Sequence, residues 1–249
     1  PVTGITLQKT DSLQTGGTKQ LSYTVNPGSA DIKTLEWKSS NTAVARVDQN
    51  GKVTAGGAPG KATITATATD GSKKSARCTV TVVKPVTGIT IAGANGAHTV
   101  AVGKTLKLTA TAAPQNASNK KVVWSIVSGA GNATVSNGTV RGTRKGTVVV
   151  KATAADNCGA SQTYTITVIQ PITAIRAQKA SLTLTKGASQ TLAPTITPSN
   201  ADNRALKWTT SNSAVVSITG SATGPTVTIR AGATAGRATI TGTAQDGSK

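Results

Sequence analysis

The sequence predicts an all-β protein of three tandem two-sheet sandwiches, and three observations predict it. The segment Pro1-Val2-Thr3-Gly4-Ile5-Thr6 returns as Pro85-Val86-Thr87-Gly88-Ile89-Thr90 and, altered, as Pro171-Ile172-Thr173-Ala174-Ile175-Arg176, a period of about 85 residues. Within each period, apolar residues alternate with Ser and Thr over short runs, the pattern of half-buried strands. Turn-forming residues interrupt these runs every 8–12 residues or so, and about seven short strands per period describe a sandwich.

The first repeat shows each element most clearly. Leu21, Tyr23 and Val25 alternate with Ser22 and Thr24; Ile64, Ala66 and Ala68 with Thr65 and Thr67; Cys78, Val80 and Val82 with Thr79 and Thr81. Between them stand Asn26-Pro27-Gly28, Asn50-Gly51, Gly56-Gly57-Ala58-Pro59-Gly60 and Asp70-Gly71. Asn-Gly and Asp-Gly favour tight hairpins because both residues tolerate positive φ, and Asn137-Gly138 and Asp246-Gly247 repeat the device. No window reads as an amphipathic helix. A single tryptophan per repeat, Trp37, Trp124 and Trp208, lies centrally in a strand.

The repeat starts set domains at 1–84, 85–170 and 171–249. The junctions Val83-Lys84-Pro85-Val86 and Ile169-Gln170-Pro171-Ile172 pass from a last strand to a first strand with one polar residue and one proline between. Proline fixes φ, and so short a linker leaves little freedom, so the expected arrangement is a semi-rigid rod. The third repeat has nothing after Asp246-Gly247-Ser248-Lys249 that matches Ala76–Val83 or Gln162–Ile169, the final strands of the first two. The expectation is therefore that the natural chain continues, or that a neighbouring chain donates a strand beside Arg237–Ala244.

The residues that recur resemble the bacterial immunoglobulin-like domains of group 2. The likeness is carried by Pro1 to Leu7, Gln20-Leu21 leading to Val25-Asn26-Pro27, Leu35-Glu36-Trp37-Lys38-Ser39-Ser40-Asn41, Val44-Ala45-Arg46-Val47, Gly51-Lys52-Val53-Thr54-Ala55, Gly60 to Ala66, and Asp70-Gly71 followed by Cys78-Thr79-Val80-Thr81-Val82. It covers essentially the whole chain. The third repeat keeps Trp208-Thr209-Thr210-Ser211-Asn212 and Gly236-Arg237-Ala238-Thr239-Ile240; the second departs after Trp124-Ser125, where Ile126-Val127-Ser128 replaces the Ser-Ser-Asn turn. The resemblance implies immunoglobulin-like sandwiches that serve in surface adhesins, phage particles and secreted hydrolases as spacers or weak binders of surface glycans, with no shared catalytic residues. In such a sandwich the central tryptophan fills the core, a reading preferred here over a row of sugar-stacking aromatics.

Composition narrows the chemistry. The chain has one histidine, His98, in a Gly/Ala-rich turn region, and eight carboxylates spread over three repeats, so no positioned base, nucleophile or carboxylate pair is legible. No catalytic, cofactor or metal residue is assigned. Zinc would need Cys/His clusters and calcium several oxygen ligands, whereas Asp70-Gly71-Ser72 and Asp246-Gly247-Ser248 could each contribute one. Cys78 and Cys158 occupy non-equivalent positions in different repeats, the first read as a buried thiol and the second as a loop thiol. No stretch approaches the ~20 apolar residues of a membrane span, and no signal segment is legible. The start at Pro1 suggests an internal or processed piece.

The feature that could carry function is charge. Formal net charge is +19, with eleven Lys/Arg against five Asp/Glu in residues 1–84, eight against one in 85–170, and eight against two in 171–249. Lys73-Lys74, Lys120-Lys121 and Arg141-Gly142-Thr143-Arg144-Lys145 form small clusters near expected loops. Such a field attracts anionic polymers in a salt-dependent way. Reading nucleic acid needs a groove-entering element or stacking aromatics, and neither is legible. The function that follows is a non-enzymatic structural or adhesive rod, extracellular, on a bacterial cell surface or phage virion. Its partners would be anionic cell-surface polysaccharide or a capsid surface, together with other copies or domains of a longer protein. Lys73, Lys74, Lys120, Lys121, Arg141, Arg144 and Lys145 are the candidate contacts. The alternative is an accessory spacer or carbohydrate-binding region of a secreted carbohydrate-active enzyme.

Overall fold

A computed structural model describes residues 1–248, and among them it is all-β apart from one 3-10 turn at Ala94–Gly96. In the first repeat the alternating runs form one four-stranded sheet, ordered Thr10–Gln14, Ser75–Val83, Gly60–Ala68, Leu35–Ser39. Facing it are the sheet Thr18–Gln20, Lys52–Ala55, Ala45–Val47 and the pair Gly4–Leu7 with Tyr23–Asn26. Period-2 alternation turns one face of each strand inward. Accordingly Val53, Ile64, Ala66, Cys78 and Val80 are fully buried, while Thr65, Arg77 and Thr79 point out. The Thr10–Gln14 strand runs parallel to Thr79–Val83, and the hairpin Gly60–Ala68 with Ser75–Val83 is antiparallel. Gly51, at φ +77°, closes the turn after Asn50, which is the residue type that position requires.

The second repeat has the same strand order. One sheet runs Gly88–Gly93, Thr105–Ala113, Thr139–Gly142, Ala133–Ser136; the other runs Thr99–Ala101, Ser161–Ile169, Gly146–Ala154, Val122–Ser128. Contacts divide the chain into two compact units. The first comprises Pro1–Ile91, Thr109–Trp124 and Lys151–Thr163; the second comprises Ala92–Leu108, Ser125–Val150 and Tyr164 onward. The first unit holds a cluster of Val86, Ile89, Ala112, Ala117, Ala152 and Ala154 with Trp124 against it. In the second, Leu108, Val140, Val148, Val150, Ile166 and Val168 are buried. There Tyr164 donates to the Ala97 carbonyl at 2.8 Å and accepts from the Gly93 amide at 3.2 Å, pinning the 3-10 turn.

In the third repeat Val227–Ala231 pairs with Ser189–Leu192 and Val216–Thr219, and Ala174–Arg176 with Thr195–Thr197. Leu206–Thr210 lies between Ile240–Ala244 and a short Thr223–Gly224 strand. Its core is Ile172, Ile196, Leu206, Trp208, Val227 and Ile229. Among the described residues, Ile240–Ala244 has a strand partner on one side only. Its inward Ile240 and Ala244 are half-buried, where the matching Ile64 and Ala68 of the first repeat are at 0% and 7% exposure. The stretch before Lys186, which matches Thr10–Gln14, forms no strand, and Leu182 is 41% exposed.

Each repeat start is tied to its own last turn. The amides of Val2, Val86 and Ile172 donate to the carboxylates of Asp70, Asp156 and Asp246 at 2.5, 2.7 and 2.5 Å. These carboxylates also accept the amide two residues on, from Ser72, Cys158 and Ser248. The two Asp-Gly-Ser turns considered above as calcium ligands therefore use their oxygens on backbone donors. Both junctions are fastened too: Lys84 and Ser118 exchange two hydrogen bonds at 2.8 Å, and Gln170 and Asp202 exchange two at 2.5 and 2.9 Å.

Candidate functional site

The basic residues singled out above sit on three turns, each built by local hydrogen bonding. Lys73, at φ +58°, and Lys74 lie in the turn whose apex Asp70 holds Val2, and both are exposed. Lys120 and Lys121 are exposed beside Asn119, whose side chain accepts the Lys121 amide at 3.1 Å; the Lys120 ammonium donates to the Gln115 carbonyl at 3.0 Å. Arg141 stands on the Thr139–Gly142 strand, opposite Thr105 and Thr134, and points out. Arg144 and Lys145 follow in the turn, where the Arg144 amide donates to the Asn132 carbonyl. Lys145 differs from the rest: its ammonium lies 2.5 Å from Asp202 and 3.4 Å from the Asn200 carbonyl. The Lys145 ammonium and the Gln170 amide hold the Asp202 carboxyl below its usual range.

The ladder register brings together basic residues that the sequence reading did not pair. Lys38 stands opposite Thr65, and Thr65 opposite Arg77, so two cations flank a threonine on the outer face of the four-stranded sheet. Strands lie about 4.8 Å apart, placing the Lys38 and Arg77 backbones about 10 Å apart. With Ser40 and Thr63 they line an open hollow of about 330 Å³. Glu36 is on the same face, one rung away opposite Thr67. Lys38 and Arg77 lie 39 positions apart in the chain, and only their outward phase in alternating strands hinted at a shared face. The only ion pairs among the described residues are Lys19–Asp11 and Lys145–Asp202, so neither Lys38 nor Arg77 is ion-paired, although Glu36 shares their face.

The tryptophans differ from one another. Trp208 is 6% exposed and its indole N–H donates to the Gly224 carbonyl at 3.0 Å, so it is a core residue with its polar atom satisfied. Trp37 and Trp124 are half-buried and pack against their cores from the side. His98 is exposed and stacks on Tyr164, ring centroids 4.5 Å apart. Cys78 is buried and Cys158 exposed. Burial pushes the Cys78 thiol up, with the Asp11 charge adding to it. No cluster of three or more His, Cys, Asp or Glu able to hold a metal exists among the described residues, and no helix among them is long and apolar enough to cross a membrane.

The family model described as bacterial Ig-like domain (group 2) matches residues 1–80, 85–166 and 171–249. An uncharacterized protein of Clostridium acetobutylicum is 36% identical over 155 residues, which is 62% of this chain and 16% of that protein. An Ig-like virion protein of Serratia phage KSP90 is 35% identical over 162 residues, 63% of this chain and 61% of that protein. A 3-O-alpha-D-galactosyl-alpha-L-arabinofuranosidase of Bifidobacterium longum subsp. longum is 40% identical over 81 residues, 32% of this chain and 7% of that enzyme. The chain thus spans less than two thirds of the length of each of these relatives.

Proposed function

The chain belongs to the bacterial Ig-like domain (group 2) family, and from that premise we propose that it is a non-enzymatic spacer or adhesive segment of an extracellular protein. Its place is a bacterial cell surface or a phage virion, where its basic faces make weak contact with anionic surface polysaccharide. The virion protein of phage KSP90, the relative covered over the largest share of its own length among the three above, supports the structural role. The observation that carries the binding reading is the unneutralised charge. Net charge is +19, and Lys73, Lys74, Lys120, Lys121, Arg141 and Arg144 are exposed with no carboxylate paired to them among the described residues. Lys38 and Arg77 add a flanked hydroxyl-rich strip to which a sulfate, phosphate or carboxylate group could dock. Exposed charges act through a field that salt screens within about 8 Å at physiological ionic strength.

The test is retention of the whole chain on immobilised lipoteichoic acid and lipopolysaccharide across a salt gradient. Weak retention at low salt that disappears at high salt is expected, and Lys38→Gln with Arg77→Gln elutes earlier than the parent chain. Retention indifferent to salt removes charge as the cause.

A further inference from the structure

We propose that the Tyr23–Trp37 corner of the first repeat is a binding site for a neutral saccharide. The three repeats provide an internal comparison. In the third, the longer connection after Val216–Thr219 folds a Thr223–Gly224 strand onto Leu206 and Lys207 and takes the Trp208 indole N–H. That cover is missing in the first repeat, where the same connection is the tight Asp48–Gly51 turn. Trp37 is left half-exposed, and its indole N–H has no partner among the described residues. Beside it stands Tyr23, 39% exposed, with the two ring centroids 5.3 Å apart at 72°. Counting back from the shared X–Pro step, the second and third repeats have Ala110 and Pro194 where the first has Tyr23. The extra aromatic is thus not something this sandwich needs in order to fold.

Trp37 and Val47 form part of an open concavity of about 510 Å³ whose rim carries Glu36, Asp48, Gln49 and Asn50. The Asp48 carboxylate uses one oxygen, Oδ1, to accept the Asn50 and Lys52 amides at 2.9 Å each, leaving its other oxygen without a protein partner among the described residues. Glu36 makes no ion pair among those residues, and both Glu36 and Gln49 are exposed. An aromatic ring next to planar carboxylate and amide groups suits a pyranose: the C–H face packs on the Trp37 indole that lines the concavity, with Tyr23 adjoining that ring from outside the lining, and neighbouring hydroxyls meet two-pronged acceptors and donors. The local charge selects against anionic polymers. Two of the eight carboxylates of a +19 chain, Asp48 and Glu36, lie on this one rim, Glu36 at the edge it shares with the Lys38–Arg77 face, so the corner is locally less basic than the lysine and arginine clusters.

Gly51 packs directly against the Trp37 ring and sets its position, since a Cβ there would lie 2.6 Å from the ring at a φ of +77°. The test is calorimetric titration of the whole chain with cellohexaose, chitohexaose and mannohexaose, each at low and high salt. Saturable binding of at least one of them that is the same at both salt concentrations is expected. Tyr23→Ala, and separately Gln49→Ala, should weaken it by about three- to tenfold, the loss of one aromatic or hydrogen-bonding contact. Both positions are exposed, and an unchanged melting transition shows that the fold persists. No binding to any of the three sugars, or binding untouched by both substitutions, overturns the proposal. Binding abolished by salt also overturns it, because it assigns the contact to the basic faces.

Discussion

Opposite Trp208 across the ladder stands Gly242; opposite Trp37, at the matching rung, stands Ala66. A Cβ on Gly242 would come within 2.9–3.1 Å of the Trp208 ring, so that ring lies over the neighbouring strand Ile240–Ala244, while Trp37 lies over Gly51 instead. Gly242→Ala should overpack the third core and cost about 1–3 kcal/mol. Denaturant unfolding followed by tryptophan emission checks this, and an unchanged midpoint and spectrum would show that the ring has room to shift. The recurrent aspartates offer a second prediction at this scale. The Ser72 hydroxyl and the Val2 and Ser72 amides hold the Asp70 carboxyl down to about 2, and the Val86 and Cys158 amides lower that of Asp156. Burial pushes Asp246 up, but the Ser248 hydroxyl and the Ile172 amide outweigh it. Depressed folded-state values mean that this stability is complete above the unfolded carboxylate pKa of about 3.9 and is lost as pH falls below it. Asp156→Asn should therefore lower the melting temperature at neutral pH by the equivalent of about 1 kcal/mol or less, given its exposure. The gap from the parent chain should close toward pH 2–3; a gap that stays constant with pH would show that the ionised form contributes nothing.

Strands and turns were largely legible because their causes are local. Alternation at Ile64, Ala66, Cys78, Val80 and Val82 marks inward positions that are at 0–1% exposure, and Asn-Gly at 50–51 and 137–138 makes tight turns, with positive φ at Gly51, Asn137 and Gly138. What escaped the sequence is long-range. Asp70 reads as a turn residue, yet its second task is to hold an amide 68 positions earlier. Lys145 reads as a free surface cation and is paired with Asp202. The Lys38–Thr65–Arg77 row exists only once the register of three strands is known. The tryptophans were all assigned to cores from their central strand positions, but how much ring each buries depends on the length of another connection, from Asp48 to Gly51 or around Thr223–Gly224. Element identity thus follows from spacing, whereas the candidate sites depend on which elements meet.

At the scale of the whole chain, the three repeats share one strand plan but differ, among the described residues, in which of its strands are formed. In the first, Ser75–Val83 buries Cys78, Val80 and Val82 and pairs with Gly60–Ala68 on one side and Thr10–Gln14 on the other. In the third, the counterparts of both neighbours are present without such a strand between them among the described residues: Ile240–Ala244 is only half-buried inward, and Leu182 is 41% exposed. Three inward apolar side chains at ~1.5–3 kcal/mol each contribute roughly 5–9 kcal/mol, comparable with a typical domain stability of about 5–15 kcal/mol. Appending the first repeat's own Ser75–Val83 sequence after Lys249 should let it pair antiparallel to Ile240–Ala244 and draw the Leu182–Leu184 stretch into a parallel ladder. The melting transition of the third repeat should then rise by several degrees or more, and the amides of Leu182 and Leu184 should become protected from hydrogen exchange. If the appended strand leaves both the transition and the exchange of those amides unchanged, then the open edge beside Ile240–Ala244 is not an acceptor for a final strand. The third repeat would then hold its core by a packing different from that of the first.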